Sequence, residues 1–559
     1  MIALEITLFV VAVTGVIWLG IWKSRDEEND GDKGAADYFL AGRGLTWWLV
    51  GFSLIAANIS TEQFVGMSGG AADRQGMAIA SWEWVAAITL VIVAFWFLPK
   101  FLKCGLYTIP EFLEYRFDSV ARLAMSIPAV LTLVFVNTST VIYSGAKFVS
   151  EYYNTVPVLS SLTTMCWLIA GLAAVYVFIG GLKACAWTDL IWGAALILGG
   201  VIVMSMAFNH LGNKPAEELI LTKVANSEAT VADIEKAGPW ERFMLLNDGV
   251  DGEAKAVVGE NGDGGKIHMV RPKDDPDMPW TALLIGIWIP NFFYWGLNQF
   301  IVQRTLGSKS LAEGQKGIVF AAFMKLLIPF LVVIPGIMAF NLFSADLFNA
   351  ASGEYDHDRA FPVLVRNLIQ PMPLISWFVL AALCGAVISS LASMLNSAST
   401  LATMDLYSKF TKQKDPVQLV KVGRILVVVF VLLAALVAPY LDNFRSIFAY
   451  IQEFQGFISP GILAVFIFGF FSPKTPRYFG VVGIVTSIAV YGGLLLFADD
   501  IAFLNRMAIT LGTVMVTGLA LTILRPMEKP VEMPVNDQIA LESSPGAKIA
   551  GVGVVLLTL

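Results

Sequence analysis

The sequence is poor in charged residues, in cysteine and in histidine. Only 14% of its 559 residues are charged, against about 25% in an average soluble domain. The four cysteines are scattered without metal-ligand spacing, and the three histidines fall in predicted loops. This composition argues against a water-soluble core, a cysteine or histidine metal centre and a histidine proton relay.

Long apolar runs are abundant instead. The chain is 57% hydrophobic, with a mean hydropathy of +0.70. A membrane-spanning helix needs about 20 mainly apolar residues, whereas the strands of an outer-membrane barrel alternate apolar and polar residues. The sequence therefore predicts an all-α polytopic membrane protein with about fourteen transmembrane helices. They lie near 3–22, 46–69, 78–99, 121–151, 158–178, 183–209, 279–303, 314–343, 374–405, 418–438, 443–471, 477–497, 502–524 and 549–559.

Basic residues predict the orientation of these helices. Cytoplasmic loops accumulate Lys and Arg. Alternate connections hold 22 of these residues and the short connections between them hold 6, which places the N-terminus outside. The long acidic loop 210–278 is then external. The final apolar run, 549–559, is short for a span, and we expect the last helix to be truncated.

Two predicted helices carry polar or helix-breaking residues at the depth of the bilayer. In one, every residue from Asn58 to Gln63 except Ile59 is polar. In the other, Pro290 removes a backbone donor and Gly296 loosens the following turn. Interrupted spans at matching positions of two halves indicate a transporter's binding site, because an ion and a polar substrate can satisfy the freed backbone groups.

These positions divide the chain into two five-helix halves. We predict an extra helix and a cytoplasmic linker over 1–45, a first inverted repeat over 46–209, and a second over 279–471. The external loop 210–278 separates the repeats, and peripheral helices occupy 472–559. The two interrupted helices are then the first and sixth of the 5+5 core.

Further polar residues suggest what such a site binds. Ser389 and Ser390 lie in a run of small residues, where hydroxyls beside unwound carbonyls suit Na⁺. Glu83 and Lys325 lie in apolar surroundings and can offset each other's charge, which favours a neutral polyol over an anion. Tyr294 and Trp295 can pack on the C–H face of a sugar, although each is also compatible with an ordinary core aromatic.

With these features the sequence resembles the sodium/solute symporter family, and within it the bacterial sodium/galactose–glucose symporters. The resemblance covers nearly the whole chain. Its motifs are at 37–42, 53–67, 107–112, 180–189, 294–296, 303–306, 315–323, 389–397, 450–453 and 459–461. It implies Na⁺-driven symport of a galactose- or glucose-type sugar by alternating access, in a bacterial inner membrane.

The resemblance also implies roles for individual residues. Sodium is expected at the carbonyls of Ala56, Ile59 and Ala386 and the hydroxyls of Ser389 and Ser390. The sugar contacts are Gln63, Glu83, Asn291, Lys325 and Gln452, with Tyr294 stacked on the ring as the inner gate. The outer gate is Met67, Trp82 and Phe448, and Asp189 lies on the ion's exit path.

Two positions depart from the family's sugar pattern, since Trp82 replaces a Tyr and Ala86 replaces a Ser. The second change removes one hydrogen bond, worth about 1 kcal/mol, and is expected to shift the preferred sugar without changing the substrate class. Within the family, an amino acid, sialic acid or another carboxylate remains an alternative substrate on the same fold. Enzyme, channel and sensor functions lack their own signatures here. We expect no organic cofactor and no nucleic-acid partner, whereas the sequence leaves the oligomeric state open.

Overall fold

The computed structural model describes residues 2–25, 39–221, 230–247, 265–349, 353–444, 446–536 and 539–559. Side chains at 179–184 lie outside this description, as do the first two residues of the 37–42 motif and much of the linker and external loop. Apart from one two-stranded hairpin, the regular elements described are helices. The structure thus confirms an all-α fold.

The helices follow one another along the chain. The first part contains α1 (Ile2–Arg25), α2 (Trp47–Asn58), α3 (Ser68–Ala72), α4 (Ser81–Ile92), α5 (Leu98–Cys104), α6 (Ile109–Arg116), α7 (Ser119–Leu131), α8 (Ser139–Tyr152) and α9 (Leu162–Asn213). The predicted external loop contains α10 (Ala216–Leu221), α11 (Val231–Lys236) and α12 (Pro239–Asn247).

The second part begins with α13 (Trp280–Leu284), α14 (Trp288–Leu297), α15 (Gln299–Leu306), α16 (Leu311–Lys325), α17 (Ile328–Leu347), the hairpin β1 (Phe348–Asn349) and β2 (Glu354–Tyr355), and α18 (Ala360–Ile369). It continues with α19 (Pro373–Leu401), α20 (Ser408–Thr411), α21 (Pro416–Val437), α22 (Ile447–Phe471), α23 (Phe479–Phe497), α24 (Phe503–Leu524) and α25 (Pro545–Thr558). Single π-helical turns occupy Gln63–Met67, Val93–Phe97, Thr132–Thr138 and Ala402–Tyr407, and 3₁₀ turns occupy Ala41–Arg43, Gly76–Ala80, His357–Arg359 and Ala438–Asn443.

Each of the fourteen predicted segments contains helix. Among the described residues, nine helical stretches are long and apolar enough to span a membrane, and four shorter apolar helices accompany them. These make the chain a multi-pass membrane protein. The exact number of spans, the repeat boundaries and the external N-terminus stay predictions.

Helix α9 corresponds to two of the predicted helices. Its backbone is helical over 52 residues, yet the hydroxyls of Tyr176 and Thr188 are 2.6 Å apart. In a straight helix, twelve residues would separate them by about 18 Å. The chain therefore turns sharply between these two residues, so α9 consists of two helical halves.

The helices differ strongly in burial. Helix α19 is almost wholly enclosed and packs along α9, whereas α21 and α24 are mostly exposed. Helix α2 packs against both α9 and α16. The polar, serine-rich α19 thus lies in the protein interior beside α2, while the apolar outer helices face the surroundings, as a lipid environment requires.

Described parts of the predicted external loop are folded onto the helix ends. The Arg242 guanidinium donates to the carbonyls of Ala237, Leu211 and Lys214. The amide of Asn247 donates to Asn341 of α17 at 2.8 Å. These contacts fix the described parts of the segment against the membrane-spanning helices.

A charged network joins α8 to the segments that hold Asp356 and Asp442. The Lys147 ammonium lies 2.9 Å from Asp356 and 2.7 Å from Asp442. Asp358 is only 4% exposed, and its carboxylate accepts the Ile447 N–H at 3.3 Å, at the start of α22. Burial, with help from Asp356 and Asp442 and against Lys147, raises the pKa of Asp358 to about 8.

This pKa predicts a pH-dependent stability. Because the pKa of Asp358 is higher in the folded than in the unfolded chain, its contribution is lost as pH rises towards 8, with a slope of up to about 1.4 kcal/mol per pH unit. We expect the melting temperature of purified protein to fall between pH 5.5 and 8. Asp358→Asn should flatten that profile, and an unchanged slope in this variant would contradict the assignment.

Candidate functional site

The first interrupted helix is α2 with the turn and helix that follow it. Helix α2 ends at Asn58, because Ile59 has a non-helical backbone (φ −83°, ψ 87°). Helical structure resumes at Thr61 and continues as a π-turn over Gln63–Met67. The break frees carbonyl groups near the end of α2, and the Ala56 carbonyl accepts the Ser390 hydroxyl at 3.3 Å. The polar run therefore interrupts the helix as predicted.

The second interrupted helix comprises α14 and α15. Ile285 departs from helical geometry before α14, so the turn that precedes Pro290 is disrupted as expected. The following break falls at Asn298 (φ −80°, ψ 123°). Gly296, two residues earlier, instead permits close packing, because a Cβ atom there would lie 3.1 Å from Val93 and 3.2 Å from Phe97.

A buried ion pair lies between these two helices. The Lys325 ammonium, at the end of α16, is 2.5 Å from the Glu83 carboxylate in the first turn of α4. It also donates to the side-chain oxygen of Asn58. Lys325 is fully buried, and its nitrogen lies 4.9 Å from the centroid of the Trp295 ring. The predicted charge compensation is thus built into the structure.

A cavity of about 60 Å³ lies beside this pair, which is space for a few water molecules. Five of the six predicted sugar contacts line it: Gln63, Glu83, Asn291, Tyr294 and Gln452. Lys325 is not in its wall and reaches it through Glu83 and Asn58. The structure therefore brings together residues from four separate stretches of chain.

Several other polar residues line the same cavity. Asn58 and Glu62 belong to the polar run already recognised, whereas Asn137 comes from the π-helical turn Thr132–Thr138. An isolated amide in an apolar span was the available signal for Asn137. Gln455, one turn after Gln452, also contributes. Sequence reasoning missed Asn137 and Gln455.

Some of these polar groups lack hydrogen-bond partners. Within the described chain, the side-chain oxygens of Asn137 and Gln452 and the indole N–H of Trp82 are buried and unpartnered. A buried donor or acceptor without a partner costs about 1–3 kcal/mol. A polar ligand in the cavity can remove this penalty, and apolar ligands cannot.

Aromatic side chains enclose the cavity. The Trp82 ring meets Phe448 edge to face, with centroids 5.4 Å apart, and Met67 lies in the same wall. Tyr294 accepts a hydrogen bond from the Asn58 amide at 3.0 Å, and its ring contacts Trp295 and Phe300. The four predicted gate residues therefore all border the cavity.

The predicted sodium ligands lie where α2 meets α19. Ser390 contacts the Ala56 carbonyl, and Ala386 is buried one turn earlier on α19. Ile59 is at the break itself. The donor set consists of neutral hydroxyl and carbonyl oxygens, which suit Na⁺, and no cluster of three His, Cys, Asp or Glu residues that could hold a metal occurs in the described part of the chain.

Asp189 lies directly beside this set. Its buried carboxylate accepts the hydroxyls of Ser389 and Ser53 and pairs with Arg304 at 3.4 Å. The Arg304 guanidinium also donates to Ser53 at 2.6 Å and to Ser393. Sequence reasoning placed Asp189 on the ion's path and missed Arg304, which neutralises it and connects α15 to α19.

Comparisons with known proteins identify the family to which the sequence is similar. The family model for the sodium:solute symporter family matches residues 38–486. The sodium/glucose cotransporter of Vibrio parahaemolyticus is 39% identical over 91% of this chain and 88% of its own length. An uncharacterized symporter of Escherichia coli, YidK, is 34% identical over 98% of this chain and 88% of its own.

Structural similarity extends the agreement to the fold. A Na⁺-coupled sialic acid symporter, in a substrate-bound outward-open state, has a TM-score of 0.73 with 21% identity, covering 95% of this chain and 99% of that one. At this identity the likeness shows the fold alone.

Proposed function

The chain belongs to the sodium:solute symporter family, and on this basis we propose that it is a secondary active transporter in which Na⁺ drives the uptake of a neutral sugar of the galactose or glucose type. The observation that carries the substrate class is the neutral Glu83–Lys325 pair beside a cavity with unpartnered amide groups. Hydroxyl groups both donate and accept, so a sugar satisfies such a wall.

The sugar contacts that we assign are Gln63, Glu83, Asn291, Gln452 and Tyr294. Lys325 acts indirectly, through its ion pair with Glu83 and its hydrogen bond to Asn58. An anionic substrate would bring a charge that no cation in this wall is left to balance, because Glu83 already pairs Lys325. A carboxylate or amino-acid substrate is therefore disfavoured.

For sodium we assign the carbonyls of Ala56, Ile59 and Ala386 and the hydroxyls of Ser389 and Ser390. Bound Na⁺ would hold the break of the first interrupted helix against α19. The same break carries Asn58 and Gln63 into the sugar cavity. Bound Na⁺ and bound sugar would thus favour the same conformation of this helix break, so each would raise the affinity for the other.

Alternating access requires the two sides of the cavity to open in turn. In this structure Trp82 contacts Phe448, and Tyr294 is held by Asn58. We propose that Met67, Trp82 and Phe448 separate to admit sugar from outside, and that Tyr294 moves to release it inside. Asp189, bonded to Ser389, would receive the ion on its way out. Bacterial relatives suggest the cell inner membrane as the location.

Binding of labelled galactose to the purified protein tests the substrate class. We expect saturable binding in NaCl that is lost in KCl, and competition by unlabelled galactose or glucose but not by proline or sialic acid. Absence of saturable galactose binding, together with Na⁺-dependent binding of labelled proline or sialic acid, would overturn the sugar assignment while leaving sodium coupling intact.

Replacing Ala86 with serine should strengthen sugar binding. Ala86 lines the cavity three residues from Glu83, and a hydroxyl there adds one hydrogen bond worth about 1 kcal/mol, or roughly fivefold in affinity. Competition binding of galactose and glucose measures the change. Ala87→Ser, at a buried position outside the cavity wall, is the control, and an equal effect in both variants would contradict the assignment.

A further inference from the structure

Glu62 is a wall residue of the sugar cavity that the assigned contacts leave unused. It follows the helix break at Ile59 and directly precedes Gln63, and its own backbone is helical (φ −63°, ψ −33°). The residue is only 7% exposed and lines the cavity together with Gln63 and Glu83. A second buried carboxylate therefore lies beside the proposed sugar site.

The Glu62 carboxylate has no partner of its own. The backbone N–H of Glu62 donates to the Ser60 hydroxyl at 3.3 Å. Its side chain, however, forms neither a hydrogen bond nor an ion pair within the described part of the chain. Glu83 differs in this respect, because the Lys325 ammonium neutralises it.

The charges at the cavity do not balance. Glu62 and Glu83 belong to its wall, and Lys325 adjoins the wall through Glu83. The Lys325 ammonium contacts Glu83 at 2.5 Å and donates to Asn58, and it attracts Glu62 only from beyond ion-pair distance. Two carboxylates thus face one cation. Because an isolated buried carboxylate is costly, a further cation is favoured at Glu62.

The other free polar groups of the cavity suit an ammonium group. The side-chain oxygens of Asn137 and Gln452 are unpartnered, and these residues are 3% and 8% exposed. An ammonium group has three donors and no acceptor, so it can bond to one carboxylate and two amide oxygens. A separate metal ion would take space that the sugar needs, whereas an amine carried by the sugar brings its charge within the same ligand.

We propose that the sugar site also accepts amino sugars, whose protonated amine pairs with Glu62. This inference rests on the proposed sugar symport and extends its substrate class from neutral to cationic sugars. A neutral sugar donates a hydroxyl to Glu62 instead, and this bond is weaker than one between two charged groups. Because the amine adds one charge, uptake of an amino sugar moves one positive charge more per sugar than uptake of galactose.

Competition against labelled galactose on the purified full chain in NaCl tests the proposal. The competitors are 2-amino-2-deoxygalactose and 6-amino-6-deoxygalactose, at about pH 6.5, where an ordinary amine is protonated. We expect at least one of them to compete as strongly as unlabelled galactose. Glu62→Gln should weaken that amino sugar about tenfold, equivalent to about 1.4 kcal/mol, and galactose less than about threefold.

Three variants make the result specific to the charge of Glu62. Retained galactose binding by Glu62→Gln shows that this variant is folded. Glu62→Asp keeps the charge and should keep most of the preference for the amino sugar. Glu217→Gln removes the same charge from an exposed position and should bind both sugars like the wild type.

Three outcomes would overturn the proposal while the proposed sugar symport stands. They are galactose binding with which neither amino sugar competes, equal weakening of galactose and the amino sugar in Glu62→Gln, and equal charge moved per sugar for both substrates in proteoliposomes. The absence of saturable galactose binding in the wild type would instead contradict the proposed symport and remove the basis of this inference.

Discussion

Lys325→Ala is expected to abolish Na⁺-driven sugar accumulation and to lower sugar affinity by at least a hundredfold. Without the ammonium, the Glu83 carboxylate would stay buried without a cation, and the side-chain oxygen of Asn58 would lose its hydrogen-bond donor. Breaking a buried ion pair from one side costs about 3–5 kcal/mol. Galactose binding and initial uptake rates measure the effect.

A charge-neutral pair of substitutions separates function from folding. Glu83→Gln with Lys325→Met removes both charges together, and we expect it to recover the melting temperature lost in Lys325→Ala but not the transport. Wild-type uptake by this double variant would show that the ion pair serves stability only and would remove the basis for the assigned substrate site.

Ser390→Ala should raise the Na⁺ concentration for half-maximal sugar uptake about tenfold or more. The Ser390 hydroxyl, 3.3 Å from the Ala56 carbonyl, is one of the five proposed ligands. An interaction with a charged group is worth about 1.5–3 kcal/mol. Because the sugar contacts are intact, the maximal rate should return at high Na⁺. Uptake at fixed galactose over a range of Na⁺ concentrations measures this shift.

Ser399→Ala is the matched control for this experiment. Ser399 is equally buried on the same helix, but its hydroxyl donates to the Asn396 carbonyl of its own turn. We expect no change in the Na⁺ dependence. If Ser390→Ala behaves like Ser399→Ala, the proposed sodium site is in the wrong place.

Local sequence features predicted much of the fold and the site. The polar run from Asn58 to Gln63 breaks the first helix because side chains there compete with regular backbone bonding. Pro290 disturbs the turn before it for a steric reason. Glu83 and Lys325 could be paired from sequence because each buried charge needs a partner of opposite sign.

Features that depend on packing could not be read in this way. No Pro or Gly occupies the position of the break, Asn298. Gly296 instead allows close packing against Phe97. Arg304 and Asp189 are 115 residues apart in sequence, so only the folded chain shows that they pair. Asn137 carried too weak a signal alone to be placed in the cavity.

Na⁺-dependent accumulation of labelled galactose in proteoliposomes tests the central claim most directly. An inward tenfold Na⁺ gradient provides about 1.4 kcal/mol, and about 100 mV provides roughly 2.3 kcal/mol per charge, which together sustain roughly a few hundredfold accumulation. We expect accumulation with Na⁺ and only equilibration with K⁺. Accumulation that is indifferent to Na⁺, or the absence of accumulation with galactose and with glucose, would contradict sodium-driven sugar symport.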